Sequence, residues 1–227
     1  MAYEDDWTGE FVRKALMRHQ VVEAVAQLGP NLLQVSRHFD HPTVDVLTVD
    51  IAWLDAAVID DLINDFASVS GIVNVRRDAR YSGAAKERAL QRGVGLFSMK
   101  ELMGAAGAMD FAGYERSSME YVKRVVPQHS NVRVVRQIDQ EQLLAIRQDM
   151  SEVRFVAADI YILGVADVRD LLTNFPDIDA IVKTNPNGEY SDEANEAASS
   201  AGVGLFTFRE FMGALNFNGQ RFLEYGS

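Results

Sequence analysis

The sequence predicts an α/β protein of two tandem repeats, each a mixed sheet flanked by helices, and three observations carry that prediction. First, Gly93-Val94-Gly95-Leu96-Phe97 returns as Gly202-Val203-Gly204-Leu205-Phe206, and the offset of 109 holds without a gap from Val44/Val153 to Ala106/Leu215. Roughly 24 of about 63 aligned pairs are identical, far above the level of unrelated segments. Second, Ile59, Leu62, Ile63 and Phe66 stand at helical spacing and recur as Val168, Leu171, Leu172 and Phe175, so one apolar helix face is written twice. Third, apolar runs too short for a buried helix alternate with these stretches, the pattern of strand-helix-strand units with parallel pairing. The chain is therefore expected to divide into residues 1–109 and 110–227, each long enough for a small domain.

Taken in order, residues 7–28 read as a helix ended by Gly29-Pro30, with Phe11, Ala15, Val22, Val25 and Ala26 near one face and Asp6 or Thr8 placed to cap it. Residues 32–37 and 43–50 read as a hairpin of strands around a polar turn carrying Pro42. Residues 54–66 hold the repeated helix, and residues 71–75 a short strand matched by 180–184. Residues 82–92 form a helix whose Ala85 and Ala89, matched by Ala194 and Ala198, permit close approach to a sheet. Residues 94–97 read as a buried strand running into Ser98-Met99-Lys100-Glu101, a capping box that opens the last helix. The second copy writes that box as Thr207-Phe208-Arg209-Glu210, and Met103 and Met212 are expected to pack inward. In the second half, residues 116–126 read as a helix ended by Pro127, and strands at 132–138, 143–147 and 153–159 give this half one strand more than the first. The tail from Asn216, with Phe217, Phe222 and Tyr225, is expected to dock.

A formal charge of -11 argues against a general nucleic-acid coat or a binder of anionic membranes, which need clustered cations. The absence of cysteine removes disulfides, thiolate metal sites and a cysteine nucleophile. The start, Met1-Ala2-Tyr3-Glu4-Asp5-Asp6, is acidic and no apolar run approaches about 18 residues, so no signal peptide or membrane span is expected and the cytoplasm is the default location.

Residues able to do chemistry are sparse. Asp50 and Asp159 share an aligned position at a strand end, with Asp45 and Asp149 upstream. Such carboxylates can hold a divalent metal, or each can cap the helix that begins near Leu54 or Leu163. Arg76, Arg77 and Arg80 precede Ser82 at a helix start whose free N–H groups favour anions, so these four residues form a candidate phosphate or carboxylate site. Asp78 among them leaves a simple ion pair as the alternative. The second copy has the plain turn Asn185-Pro186-Asn187-Gly188-Glu189 there, so that site is expected in one half only. His38 and His41, three apart around Asp40, invite a zinc reading, against which stands the need of a zinc site for three or four such ligands with no further His or Cys nearby. Gly93-x-Gly95 lacks a third glycine and reads as part of a strand, not a dinucleotide loop.

Ile181-Val182-Lys183-Thr184-Asn185, Ser191-Asp192-Glu193-Ala194, Val203-Gly204-Leu205-Phe206 and Glu210-Phe211 follow one another in an order that the first half repeats with Ile72-Val73-Asn74-Val75, residues 82–85, residues 94–97 and Glu101-Leu102. In this the last 65 or so residues of each half resemble the second part of the restriction-endonuclease-like (PD-(D/E)xK, Mrr-type) fold. The resemblance implies an Asp on one strand and Glu/Gln-x-Lys on the next, two carboxylates holding a divalent cation while the lysine orients water. Residues 44–50 and 153–159 lack Glu/Gln-x-Lys and carry Asp50 and Asp159 near the lysine position. The resemblance therefore implies a duplicated, catalytically degenerate fold: a non-catalytic pseudo-nuclease acting as an interaction or scaffold protein of a nucleic-acid-associated or defence complex. Two readings stay open beside it, a metal-dependent nuclease with migrated catalytic residues, and a nucleotide or small-anion sensor using the cleft between repeats. No cofactor is expected unless a divalent metal. A protein partner is expected, nucleic acid and a homo-oligomer are left open, and no membrane is expected.

Overall fold

Helix α1 (Trp7–Leu16) stops well short of residue 28, because the chain turns at His19 and enters strand β1 (Val22–Gly29). The helical spacing of Val22, Val25 and Ala26 comes from a break in strand alternation: the pairing of β1 shifts register between Val22 and Ala24. Most β1 side chains face solvent, so no alternating apolar face marks it as a strand. Thr8 is not the cap of α1 but lies within it, its hydroxyl buried 2.9 Å from both Asn31 Oδ1 and Thr48 Oγ1. Asp6 lies outside the described residues; the computed structural model describes residues 7–66 and 68–225.

The chain divides into two units, Met1–Arg116 and Ser117–Ser227. The first continues with β2 (Leu32–Arg37), β3 (Val44–Val49), the two-residue β4 (Trp53–Leu54), α2 (Ala56–Asp65), β5 (Gly71–Asn74), β6 (Arg80–Tyr81), α3 (Gly83–Gln91), β7 (Gly95–Ser98) and α4 (Met99–Ala106). Its sheet runs β1-β2-β3-β5-β7, with β2 antiparallel to both neighbours and β3, β5 and β7 parallel. Alternation along the strands builds two cores. Leu47, Ile72 and Leu96 pack with Ile59, Leu62, Ala85 and Ala89 of α2 and α3, while Val46, Val73 and Phe97 pack with Val12, Leu16 and Leu102 of α1 and α4. The result is a sheet between two helical layers.

The second unit repeats the plan: α5 (Ser117–Val125), a 3-10 turn holding Pro127, β8 (Val132–Gln137), β9 (Gln142–Arg147), β10 (Val153–Ala158), β11 (Ile162–Leu163), α6 (Val165–Asn174), β12 (Ala180–Lys183), β13 (Glu189–Tyr190), α7 (Asp192–Ser200), β14 (Gly204–Thr207), α8 (Phe208–Ala214) and α9 (Gln220–Leu223). Its sheet order is β8-β9-β10-β12-β14. Strand β8 answers β1, so the additional strand expected in the second half exists in both.

The likeness thus reaches back beyond Val44, with an offset of 110 ahead of the β2–β3 turn, which is one residue longer than the β9–β10 turn. Arg37 and Arg147 show it. Arg37 Nη1 donates to the Ala108 carbonyl at 2.8 Å, and Arg147 Nη1 to that of Phe217 at 2.6 Å. Each guanidinium also stands over a ring, Phe111 or Phe222. Phe222 is buried and Phe217 stacks on Tyr225, so the tail docks as far as residue 225; residues 226 and 227 lie outside the described residues.

The repeated glycines have separate jobs. Gly93 and Gly202 sit just ahead of the strands at φ 73°, not inside them as the sequence suggests, where a side chain would be strained. Gly95 and Gly204 lie in the strands, where a Cβ would run into the Phe97 or Phe206 ring folded over the same face. Both capping boxes form, and Met103 and Met212 pack half-buried against the helix-side cores. Among the described residues no helix is long and apolar enough to cross a membrane.

Candidate ligand pocket of the second unit

Three parallel strands end side by side in the second unit: Ala158 of β10 pairs with Lys183 of β12, and Lys183 with Thr207 of β14. The carboxyl ends of parallel strands are where open α/β sheets place ligands, because the chain leaves the sheet there toward opposite faces. Here the row opens into a pocket of about 830 Å³. It is lined by Asp159, Lys183 and Thr184 at the ends of β10 and β12, by Thr207, Phe208, Arg209 and Met212 of β14 and α8, and by Ser118, Tyr121 and Val125 of α5. The Tyr121 and Phe208 rings meet at 4.8 Å.

Lys183 is 2% exposed, an unusual state for an ammonium group. Burial pushes its pKa below the ordinary lysine value, and the carboxylates of Asp159 and Glu189 oppose that shift. Its Nζ donates to the Asn185 carbonyl at 2.6 Å. The loop that supplies this carbonyl is an Asx turn, with Asn185 Oδ1 accepting from Asn187 N at 3.1 Å. Gly188 closes the loop over the lysine, and a Cβ there would collide with the Tyr161 carbonyl and the Lys183 ammonium. Thr184 Oγ1, also in the pocket wall, is shut from solvent and has no hydrogen-bond partner among the described residues. Two cations therefore face one carboxylate in this lining, in a chain whose formal charge is -11.

The aligned strand ends of the first unit are satisfied from within. Asn74 stands where Lys183 does, and its amide donates to the Ile51 carbonyl at 2.6 Å and accepts from the N–H groups of Ile51 and Arg76. Arg76 pairs with Asp78 at 2.9 Å and with Asp50 at 3.5 Å. The arginine loop and the strand-end aspartate, two separate candidates in the sequence, thus meet in one ion-pair cluster. Arg77 is exposed, and Arg80 belongs to the β6 bridge against Trp53. Ser82 caps α3, its Oγ accepting from Ala85 N at 3.0 Å.

Asp50 does not cap the following helix; Asp55 does, accepting from Ala57 and Val58, and in the second unit Asp167 accepts from Gly164 N. Asp45 and Asp50 lie at opposite ends of β3, about 16 Å apart at the rise of a strand, too far to share a metal. Asp149 and Asp159 flank β10 in the same way. Among the described residues no three His, Asp or Glu side chains cluster as metal ligands. His41 turns its ring nitrogens to the carbonyls of His38, Phe39 and Gly107.

Sequence reasoning passed over Lys183 because it closes an apolar strand. The available signal was its exchange for Asn74, together with Thr184 for Val75, at the end of a strand otherwise shared by both copies. Comparison with protein-family models, curated proteins and solved structures finds no match for the chain.

Proposed function

We propose that the protein is a non-catalytic binding protein whose second repeat holds a small anionic molecule, built on two restriction-endonuclease-like repeats and acting as a ligand-dependent interaction or scaffold component. The observation that carries this is the strand-end pocket in which Lys183 and Arg209 outnumber the single carboxylate of Asp159. Its volume suits a small metabolite. The non-catalytic part rests on the missing Glu/Gln-x-Lys in both repeats.

The test is thermal unfolding of the full chain titrated with inorganic phosphate, citrate and ribose 5-phosphate. An anion that binds only the folded state raises stability by about 2.7 kcal/mol at a hundredfold excess over Kd. That rise is expected for at least one anion and is lost in Lys183→Met. Absence of any rise, or an equal rise in the variant, refutes the anion site.

One observation favours a second reading. Lys183 and Asp159 bring a lysine and a carboxylate together at the ends of neighbouring strands, two of the three groups that a metal-dependent nuclease with migrated catalytic residues would use. Cleavage of DNA with magnesium or manganese, abolished by Asp159→Ala, would establish that reading in place of the first.

A further inference from the structure

The pocket is larger and more apolar than an inorganic anion needs. Lys183 and Arg209 line it together with the apolar side chains of Tyr121, Phe208, Val125 and Met212. Tyr121 is 41% exposed although its ring meets Phe208 and lies under the Arg124 guanidinium, so a pocket-lining aromatic residue keeps accessible surface. Lys183 is the second sign of a ligand, because an ammonium group 2% exposed in a pocket wall has only the Asn185 carbonyl as a hydrogen-bond partner among the described residues. The first repeat has Asn74 for the lysine, so that cation is missing there.

Resting on the reading of an anion site in the second repeat, we infer that the pocket takes a planar aromatic group joined to a phosphate monoester, the chemistry of a nucleoside monophosphate. The phosphate meets Lys183 and Arg209, the two cations of the lining. The ring covers Tyr121 and Phe208, a contact every base can make through its π face, so binding discriminates weakly among bases.

Calorimetric titration of the full chain with adenosine 5′-monophosphate, ribose 5-phosphate and adenosine tests this. The monophosphate is expected to bind about tenfold or more tighter than ribose 5-phosphate, and Tyr121→Ala to erase that difference while leaving ribose 5-phosphate unchanged. Arg209→Ala is expected to weaken both phosphates about tenfold without lowering the Tm of the free protein. Equal affinity for the monophosphate and ribose 5-phosphate, or an unaffected Tyr121→Ala, overturns the ring while the anion site stands. Adenosine binding as tightly as its monophosphate overturns the phosphate. If none of the three binds, the inference fails, and the phosphate and citrate titrations decide separately whether an anion site exists.

Discussion

Tyr190 donates to Glu210 Oε2 at 3.2 Å, and Tyr81 donates to Glu101 Oε1 at 3.1 Å, so each half ties a phenol to the glutamate of its capping box. Burial first, then the neighbouring carboxylate, pushes the Tyr190 phenol up to about 12, and the same causes raise Tyr81. Above about pH 10 the unfolded chain gives up these protons while the fold retains them, so the stability present below that pH falls as pH rises toward 12. Urea unfolding between pH 9 and 11 should show this fall, shallower in Tyr190→Phe, which should itself cost about 1 kcal/mol at neutral pH. A parallel pH dependence in the variant would remove Tyr190 as its source. Lys183 works with the opposite sign. Its lowered pKa means that the unfolded chain binds the proton more readily, so it costs stability at neutral pH, a cost relieved as pH rises toward the ordinary lysine range. Replacement of Lys183 by methionine should therefore leave the free protein as stable as before or more so, which separates loss of binding from loss of fold. None of this was legible from Lys183 as a letter at the end of an apolar strand. It depends on the loop of residues 184–188 folding back over the ammonium.

Among the elements, the capping boxes are where local sequence and structure agree best. Ser98 Oγ accepts from Glu101 N while Glu101 Oε2 accepts from Ser98 N, and Thr207 and Glu210 do the same. Ser98→Ala and Thr207→Ala should each lower stability by about 1 kcal/mol in urea titrations. A change under about 0.3 kcal/mol at either site would show that the glutamate alone holds the helix start. These boxes could be read directly because every partner lies within three residues. Strand β1 could not, since its bulge imitates helical spacing and its pairing partner, β2, supplies the hydrogen bonds that settle it. Hydrogen bonding across a sheet is invisible to any window of sequence shorter than the hairpin. The same limit applied to the offset of the repeat, which changes by one at the β2–β3 turn and hid the kinship of β1 and β8.

At the scale of the molecule, each unit carries its own sheet and two hydrophobic clusters, one on either face of that sheet. A fragment of residues 117–227 should therefore unfold cooperatively by itself, with a single urea transition and dispersed amide signals. A fragment lacking a cooperative transition would show that its cores are insufficient alone. The duplication, the alternation of helices with short strands and the apolar faces were all written in the chain, because periodicity and propensity act over a few residues and a repeat confirms each feature twice. The site was written only in part. Asp50, Asp159 and the arginines were visible as residue types, yet pairing Arg76 with Asp50, separating Asp45 from Asp50 along β3, and burying Lys183 in a pocket lined by aromatic residues are consequences of three-dimensional packing. Residues that sequence order places far apart, Tyr121, Asp159, Lys183 and Arg209, share one pocket because three parallel strands end in register and the following segments turn away from the sheet.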